Sequence, residues 1–340
     1  MPFDPNAASP ADSGIFGLPY TPEESSLVLL PVPWEATTSY GGGAAKGPGA
    51  MFRASRQIDL FDIELGNFHE AGICLLSEDP LFTRLSEEGK KKAAPIIEKG
   101  GAIGDDPALA AALTDVNTMS DQVNEKTYAL VKEQLKAGKK VGVMAGDHSS
   151  SFGIMKAFVE TYPGVGVLQI DAHADLRPAF EGFEHSHGSI MYNAITKLPL
   201  KKLVQVGIRD LCQQEHDMIE KEDRIETFYG PDLHAALFAG QSWNELCTQI
   251  TATLPQEVYI SFDIDGLEPW LCPHTGTPVP GGLTFQQVNA LFRTLVESGR
   301  TIVGFDLNEV SPGEDEWDAN VGARVLFKLC GWMLKSWEQR

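Results

Sequence analysis

Three short stretches of the sequence place carboxylates and histidines directly after apolar segments. These stretches are Asp147-His148 after KVGVMA, Asp171–Asp175 (DAHAD) after GVLQI, and Asp263–Asp265 (DID) after EVYISF. In an extended chain every second side chain projects to the same side, so Asp171, His173 and Asp175 point one way. Asp263 and Asp265 share a side for the same reason. The spacing predicts carboxylates and imidazoles that converge at strand ends.

Converging carboxylates in a partly buried site repel one another unless cations compensate their charge. A set made of carboxylates and imidazoles suits Mn²⁺ and neighbouring first-row metals better than Ca²⁺ or a thiolate-bound zinc. Each motif alone has an ordinary alternative, because a lone DxD is often a turn or a helix cap and a lone GDHS can be a solvated turn. The three motifs together, each after a separate strand, predict a divalent-metal site.

The segments that position these motifs alternate between apolar strands and helices. Strands are predicted at 26–32, 140–145, 166–170, 203–208, 257–262 and 301–307, with helices near 122–137 and 152–161. Short, nearly continuous apolar strands separated by helices are typical of α/β proteins in which a parallel sheet is covered on both faces. We therefore expect a three-layer α/β/α fold around a central, mainly parallel sheet. Ligands bind beyond the carboxyl ends of such strands, where the motifs fall.

Composition limits the classes of partner that the chain can have. Its 340 residues include 47 acidic and 27 basic side chains, a formal charge of −20, which argues against a nucleic-acid partner. Neither a signal peptide nor an apolar run of about 20 residues is present, so no membrane partner is expected. Five scattered cysteines without a CxxC pair suit reduced thiols and a cytoplasmic protein. Residues 26–340 are predicted to form a single domain, preceded by a loosely held arm at 1–25.

The motifs AGDHSSSFG, DAHAD and SFDIDGLEP resemble the metal-binding signatures of the ureohydrolase family, which includes arginases and agmatinases. The similarity runs from about Val32 to the C-terminal helix and implies the arginase/deacetylase-like fold. The run DAHADLR…FEG…SHG is closer to agmatinase-type members than to true arginases. The resemblance implies a hydrolase that cleaves a C–N bond of a small guanidino compound, releases urea, and assembles as a homo-oligomer, either a trimer or a hexamer.

The resemblance also implies a set of metal ligands in this chain. Two Mn²⁺ per subunit are expected, with Ni²⁺ or another divalent first-row metal as the alternative. Asp171 and Asp263 would bridge the two ions. The ligands of one ion would be His148, Asp171, Asp175 and Asp263, and those of the other would be His173, Asp171, Asp263 and Asp265.

Catalytic and substrate-binding residues are implied by the same resemblance. Two ions that share a water lower its pKa from ~15.7 towards 7, and Asp175 is expected to orient the resulting hydroxide. Glu309, in DLNEVSP, matches the carboxylate that faces the substrate's guanidinium. Phe183–Gly188 (FEHSHG) resembles the loop whose histidine relays protons and contacts substrate. His187 is the better match in that loop, and His185 is the alternative.

Departures from the family pattern bear on the substrate. Val279 stands where agmatinases often carry Glu, and Arg177 stands where arginases hold an Asn that grips the amino-acid end. Arg177 could pair with a substrate carboxylate. We therefore expect agmatine and arginine to be poor substrates and a compact or carboxylate-ended guanidino compound to be preferred. Ala145 and Glu268 also depart from the pattern, but they lie outside the ligand set.

Three other functions deserve comparison with this prediction. A metal-dependent deacetylase shares the general fold but typically binds one metal, and retention of His148 and Asp265 argues against it. Hydrolysis of formimidoylglutamate is a closer alternative, because Arg177 could meet that substrate's carboxylate. A non-catalytic subunit that keeps the fold for assembly is a third, and its intact ligand positions count against it.

Overall fold

The computed structural model describes residues 3–340 and places eight strands in one sheet with ten α-helices around it. The strands are β1 (Leu27–Val32), β2 (Ile73–Leu75), β3 (Lys140–Ala145), β4 (Gly166–Ile170), β5 (Lys202–Val206), β6 (Ile225–Phe228), β7 (Glu257–Asp263) and β8 (Thr301–Asn308). The helices are α1 (Gly47–Ser55), α2 (Pro80–Ile97), α3 (Pro107–Lys136), α4 (Ser151–Thr161), α5 (Ile190–Lys197), α6 (Gln213–Lys221), α7 (Gly230–Phe238), α8 (Trp243–Ala252), α9 (Phe285–Glu297) and α10 (Trp317–Trp337).

The strands have the order β2-β1-β3-β8-β7-β4-β5-β6, and every neighbouring pair is parallel. The sheet is therefore entirely parallel among the described residues, where the sequence predicted a mainly parallel one. The strands that precede the three motifs, β3, β4 and β7, lie in the middle together with β8. Because all strands run the same way, the segments after these four strands meet at one edge of the sheet.

Alternate residues of each strand enter two separate cores, one on each face of the sheet. Leu29 and Leu168 belong to the core that includes α1 and α7–α10. Val28 and Val167 belong to the other core, with α2–α6. Fully burying an aliphatic side chain contributes about 1.5–3 kcal/mol, so strands buried on both faces need apolar residues at nearly every position. The three-layer α/β/α prediction is confirmed.

Local sequence explains where several helices begin. Asp79 and Asp106 cap α2 and α3 with their carboxylates, and a proline comes next in the first turn of each helix. The helix predicted near 122–137 therefore begins at Pro107, after the Asp106 cap. Among the helices described in residues 3–340, none is both long enough and apolar enough to cross a membrane.

The N-terminal segment is held more firmly than the arm predicted for residues 1–25. Ile15, Phe16 and Leu18 are at most 1% exposed and pack into the core beside α1. The Phe16 N–H also donates to Ser55 Oγ at 2.9 Å. Residues 3–14 are mostly exposed, although the Ser13 carbonyl accepts Arg56 Nη2–H at 2.7 Å, and the apolar IFGL segment that follows is anchored in the core.

Candidate metal centre and active site

His148 lies on a 3-10 turn directly after β3. The chain enters this turn through Gly146, where a Cβ would lie 2.0 Å from the carbonyl oxygen of Trp34, so only glycine fits. Asp147 then caps the turn, and its Oδ1 accepts the Ser149 N–H at 3.0 Å. The turn therefore presents the His148 ring at the carboxyl edge of the sheet.

Hydrogen bonds from the sheet fix the orientation of the His148 ring. Its Nε2 lies 2.8 Å from Ser261 Oγ, and Ser261 Oγ donates to Asp306 Oδ1 at 2.8 Å. Tyr259 OH donates to the other oxygen of Asp306. Because the hydroxyl hydrogen of Ser261 is directed at Asp306, Nε2–H of His148 is the donor to Ser261. Nδ1 of His148 is consequently directed away from the sheet, where a neutral ring would present its lone pair.

Nδ1 of His148 faces carboxylates that the sequence predicted as ligands. It lies 3.4 Å from Asp171 Oδ2, 3.2 Å from Asp175 Oδ2 and 3.4 Å from Asp263 Oδ2. This nitrogen is buried and has no hydrogen-bond partner in the described chain. A buried imidazole nitrogen without a partner, surrounded by carboxylate oxygens, fits a divalent cation at their common point. We call His148, Asp171, Asp175 and Asp263 the inner group.

A second cluster contains the remaining predicted ligands. His173 Nδ1 lies 3.0 Å from Asp265 Oδ2 and 3.7 Å from Asp171 Oδ1. Ligand atoms of these three residues all lie within 4.8 Å of one another, as do those of His148, Asp171 and Asp263. We call Asp171, His173 and Asp265 the outer group. Asp171 thus offers one carboxylate oxygen to each group.

The second predicted bridge, Asp263, has a different arrangement from Asp171. Its Oδ2 faces His148, whereas its Oδ1 accepts the Asp265 N–H at 2.9 Å. Asp263 therefore contacts the outer group through the backbone of Asp265. The structure brings all six predicted ligands together. Of the two carboxylates predicted to bridge the ions, Asp171 has the geometry of a bridge.

Asp175 and Glu309 both have backbone conformations that side chains other than glycine rarely adopt. Their φ angles are 55° and 62°. Such conformations cost of order 1–3 kcal/mol and cluster at functional sites. At Asp175 the carbonyl oxygen accepts the N–H groups of Met191 and Tyr192 at the start of α5, at 3.1 and 3.0 Å. These bonds help to hold the strained residue.

Glu309 lies directly after β8, and its N–H, its carbonyl oxygen and its carboxylate each make a hydrogen bond. Its N–H donates to the Gly146 carbonyl at 2.8 Å, and its own carbonyl accepts Thr275 Oγ1–H at 2.9 Å. Its Oε1 accepts the His148 N–H at 2.9 Å. Burial, together with Asp263 and Asp147, holds the pKa of Glu309 well above its usual value. A buried carboxylate in such a negative environment favours a cation placed against it.

The pKa values of residues in the inner and outer groups reflect the negative charge that accumulates there. Burial and the neighbouring Asp171 raise the pKa of Asp175 to about 8. Burial and the charges of Asp265 and Asp171 raise the pKa of Asp263 well above its usual value. Burial alone would lower the pKa of His173, but Asp265 and Asp171 raise it to about 12. Without metal ions, bound protons and the cationic His173 compensate the negative charge of the carboxylates. Divalent cations would take over this role, so the residues fit such ions.

His187 lies beside the centre, whereas His185 does not. The turn that carries His187 packs on the turn that carries His148. His187 Nε2 accepts the Ser39 N–H at 3.3 Å, and the Ser39 hydroxyl lies 3.1 Å from the same nitrogen. Burial and the charges of His173 and His148 lower the pKa of His187 to about 3. The ring is therefore neutral at pH 7.

The alternative histidine of the loop has other contacts. His185 Nε2 lies 3.3 Å from Asp121 Oδ1, and its ring packs on Phe152 at a centroid distance of 5.1 Å. Asp121 belongs to α3 and Phe152 to α4, on one face of the sheet, and neither residue is a member of the two ligand groups. The geometry favours His187 over His185 as the loop histidine that serves the centre.

Arg177 is engaged within the protein through one nitrogen of its guanidinium and through its stacking on an aromatic ring. Its Nε donates to Glu215 Oε2 at 3.2 Å, and its guanidinium lies 4.6 Å above the Phe180 ring. Glu215 is buried and also accepts the N–H groups of Leu176 and Cys212. Arg177 therefore compensates a buried carboxylate that organises the loop after DAHAD.

Arg209 was not singled out from the sequence, yet it connects three segments around the centre. Its guanidinium donates to the carbonyls of Gly207, Asp265 and Val279 at 2.9, 2.7 and 2.7 Å. The signal in the sequence was an arginine directly after the apolar strand LVQVGI. Polar residues inside apolar strands were a second unused signal, and Ser261 and Asp306 are examples.

Comparison with known proteins decides the family. The sequence model of the Arginase family matches residues 25–331. The chain belongs to the arginase family. It is 32% identical to an N(1)-aminopropylagmatine ureohydrolase of Synechocystis sp., over 91% of this chain and 89% of that protein. The corresponding protein of Thermus thermophilus is also 32% identical, over 93% and 94%.

A solved structure supports the fold of this arginase-family chain. The agmatine ureohydrolase of Thermoplasma volcanium superposes with a TM-score of 0.71 at 20% identity, covering 94% of each chain. The predicted resemblance, including the closer similarity to agmatinase-type members, is confirmed. The chain is a metal-dependent hydrolase of guanidino compounds in a family that uses two divalent ions, and the formimidoylglutamase and non-catalytic alternatives are not favoured.

Proposed function

We propose that this hydrolase is an agmatinase-like enzyme that releases urea from a guanidino compound with a cationic tail. The observation that carries the proposal is the carboxylate of Asp171, which the two ligand groups share. Glu309 is hydrogen-bonded to the turn that carries His148, beside these groups. Mn²⁺ is the proposed metal, with Ni²⁺ as the alternative. The proposed ligands are His148, Asp171, Asp175 and Asp263 for the inner ion, and His173, Asp171, Asp263 and Asp265 for the outer ion.

The chemistry requires a strong nucleophile, because the guanidinium carbon is resonance-stabilised and a poor electrophile. Two divalent ions, when bound, supply hydroxide at neutral pH by lowering the pKa of water towards about 7. Asp175 is proposed to accept a hydrogen bond from this nucleophile and to direct it. Glu309 is proposed to hold the planar cation, because its carboxylate lies in a buried negative environment that a guanidinium would neutralise.

His187 is proposed to move the proton that the leaving amine requires. In the described conformation Nε2 accepts the Ser39 N–H, so the neutral ring carries its proton on Nδ1. Acceptance of a proton at Nε2 requires its release from the Ser39 N–H. The relay therefore depends on a shift of the loop at 37–43 relative to His187, and Ser39 is the residue that opposes this shift.

Charges near the outer group support a cationic tail. Asp210 Oδ2 lies 4.0 Å from His173 Nε2, and its side chain is 68% exposed. Tyr40 is 75% exposed, and its backbone packs on Gly276. The two residues that flank Gly276 are threonines, of which Thr275 bonds Glu309 and Thr277 bonds Asp265. An exposed carboxylate and an aromatic face are groups that attract ammonium ions.

The preference predicted from Val279 and Arg177 loses part of its support in the structure. Arg177 Nε is already paired with the buried Glu215, which leaves less of its positive charge for a substrate carboxylate. The two relatives at 32% identity are N(1)-aminopropylagmatine ureohydrolases, whose substrate name denotes an extended amine. We therefore favour agmatine or its aminopropyl derivative over guanidinobutyrate, free guanidine and arginine.

The test is urea release from this panel, including formimidoylglutamate as an amide-releasing control, after loading with Mn²⁺ and separately with Ni²⁺. We expect the highest kcat/KM for a substrate with a cationic tail. A tenfold advantage corresponds to about 1.4 kcal/mol of transition-state preference. If guanidinobutyrate or free guanidine wins by that margin, the preference predicted from Val279 is right and the cationic-tail proposal is wrong.

We also propose that the protein is a cytoplasmic homo-oligomer, a trimer or a hexamer. Support for association comes from large apolar side chains on the surface, including Ile63 at 93% and Phe238 at 86% exposure. Light scattering coupled to size-exclusion chromatography would give the mass directly. A monomeric mass at micromolar concentration would contradict the proposal.

A further inference from the structure

A row of polar side chains crosses the buried sheet just below the metal-ligand groups. Gln169 in β4, Gln205 in β5 and Thr227 in β6 occupy directly paired positions in the parallel ladder. Gln169 and Gln205 are both 0% exposed. Burying a primary amide is unfavourable unless its donors and its acceptor are paired, so the hydrogen bonds of these amides decide what they do.

Gln169 directs both of its N–H bonds at the DAHAD segment. Its Nε2 donates to Asp171 Oδ2 at 2.9 Å and to the His173 carbonyl at 3.1 Å. The other oxygen of Asp171, Oδ1, accepts the His173 N–H at 2.7 Å. Each oxygen of the shared carboxylate is therefore held by one donor, which fixes Oδ2 towards the inner group and Oδ1 towards the outer group.

Gln205 supports Gln169 and the same segment. Its Nε2 donates to Gln169 Oε1 at 2.6 Å and to the Ala174 carbonyl at 2.8 Å. Its Oε1 accepts Thr227 Oγ1–H at 2.8 Å. Turning Gln169 by 180° would place its Oε1 against Asp171 Oδ2 and the His173 carbonyl. Turning Gln205 would place its Oε1 against Gln169 Oε1 and the Ala174 carbonyl, so one orientation satisfies the whole chain. Three of the four N–H bonds of the two amides go to atoms of DAHAD, and the fourth joins Gln205 to Gln169.

We propose that Gln169 and Gln205 are positioning residues of the metal centre, which hold the bridging carboxylate of Asp171 and the DAHAD backbone ready for two ions. The inference rests on the proposed role of Asp171 as a shared ligand. Hydrogen-bonded partners of metal ligands typically change metal affinity by about 10–100-fold when they are removed. Here the partners also hold the segment that leads into the strained backbone of Asp175.

The test replaces each amide with methionine, which keeps similar length and removes the hydrogen bonds. Gln169→Met is expected to weaken Mn²⁺ binding by about 10–100-fold in competition with a chelator. Gln205→Met is expected to weaken it by about tenfold, because Gln169 keeps its own bonds to Asp171 and His173. In the double variant, the effect of Gln205→Met should shrink, since it acts largely through Gln169.

A matched control separates positioning from a general loss of stability. Asn289 in α9 is a buried amide, 4% exposed, whose Oδ1 accepts Trp332 Nε1–H at 2.7 Å in the opposite core. Asn289→Leu should lower the Tm of the metal-free and the Mn²⁺-saturated protein equally. Gln169→Met should instead reduce the rise in Tm that Mn²⁺ produces, because the loss falls on metal binding.

Two results would overturn the inference. One is a chelator-competition affinity within twofold of wild type in both glutamine variants. The other is an unchanged metal-dependent rise in Tm with a lower Tm in both states. If Gln169→Met does not fold, Gln205→Met carries the same comparison. Because these readouts are metal binding, they stand even if the proposed substrate is wrong, whereas a wild-type protein that binds no Mn²⁺ would refute the proposed centre itself.

Discussion

The inner and outer groups share Asp171 but differ in how their imidazoles are fixed and exposed. The His148 side chain is 1% exposed, and its Nε2 bonds Ser261 within a chain that ends at Asp306. The His173 side chain is 25% exposed, and the nearest carboxylate to its Nε2, on Asp210, lies 4.0 Å away. A ligand that is buried and bonded on its far side is held ready for its metal, whereas an exposed ligand has more freedom. We expect the inner ion to bind more tightly and the outer ion to exchange first.

Removal of the shared carboxylate should have the largest effect, because it belongs to both groups. Asp171→Ala is expected to lose both ions and all measurable turnover. Asp265→Asn is the matched comparison and should lose mainly the outer ion. Elemental analysis of the purified variants measures this directly. Retention of about two ions per chain in Asp171→Ala would remove the basis for treating the groups as one centre.

Asp263→Ala is expected to lose both ions as well, through two different contacts. Its Oδ2 faces the inner histidine, and its Oδ1 holds the Asp265 backbone. If only the inner ion is lost, the carboxylate is not a bridge. Full occupancy in this variant would contradict its assignment as a ligand.

His187→Ala should leave both groups occupied and still lower turnover by about 10²–10³-fold, the usual size for a lost proton relay. The variant tests whether the neighbouring loop contributes to chemistry independently of the metal groups. His185→Ala serves as the control, because its contacts are Asp121 and Phe152. A large loss of turnover in the control, with His187→Ala near wild type, would reverse the choice between the two histidines.

Ser261→Ala should weaken the inner ion by about 10–100-fold, because His148 loses the partner that orients its ring. Asp210→Asn should change the affinity of the outer ion much less. Stopped-flow removal of Mn²⁺ by a chelator resolves the two ions by rate: two phases are expected in wild type. Ser261→Ala should accelerate the slower phase. Acceleration of the faster phase alone would assign the ions to the opposite groups.

Arg177→Ala should have the smallest effect on catalysis. It pairs through Nε with Glu215, and this buried carboxylate keeps the N–H groups of Leu176 and Cys212 as donors when Arg177 is removed. We expect kcat/KM for agmatine to change by less than about threefold. A selective loss for guanidinobutyrate, measured beside agmatine, would show instead that Arg177 meets a substrate carboxylate.

Much of the site could be predicted because the period of a strand is local information. The alternation in DAHAD and DID indicated which side chains share a side, and their position after buried strands indicated the sheet edge. The parallel sheet was predictable from continuous apolar strands. β2 and β6 were not predicted, since segments of three and four residues such as Ile73–Leu75 and Ile225–Phe228 carry too little periodic signal.

The supporting contacts could not be predicted because they depend on strand order. Gln169 and Gln205 are 36 residues apart in sequence, and they meet only because β4 and β5 are neighbours. Ser261 reaches His148 because β7 and β3 lie on either side of β8. The sequence shows a polar residue within each of these apolar strands. It does not show which strands are neighbours in the sheet, and that decides which polar residues meet.

The close approach of Gly146 to Trp34 distinguishes two adjacent positions that otherwise look alike. Ala145 is the last residue of β3, and its methyl group is accommodated in the core. At Gly146 the Trp34 carbonyl oxygen occupies the space that any side chain would need. In a saturation library selected for function, position 145 should therefore accept both glycine and alanine, while position 146 returns glycine alone.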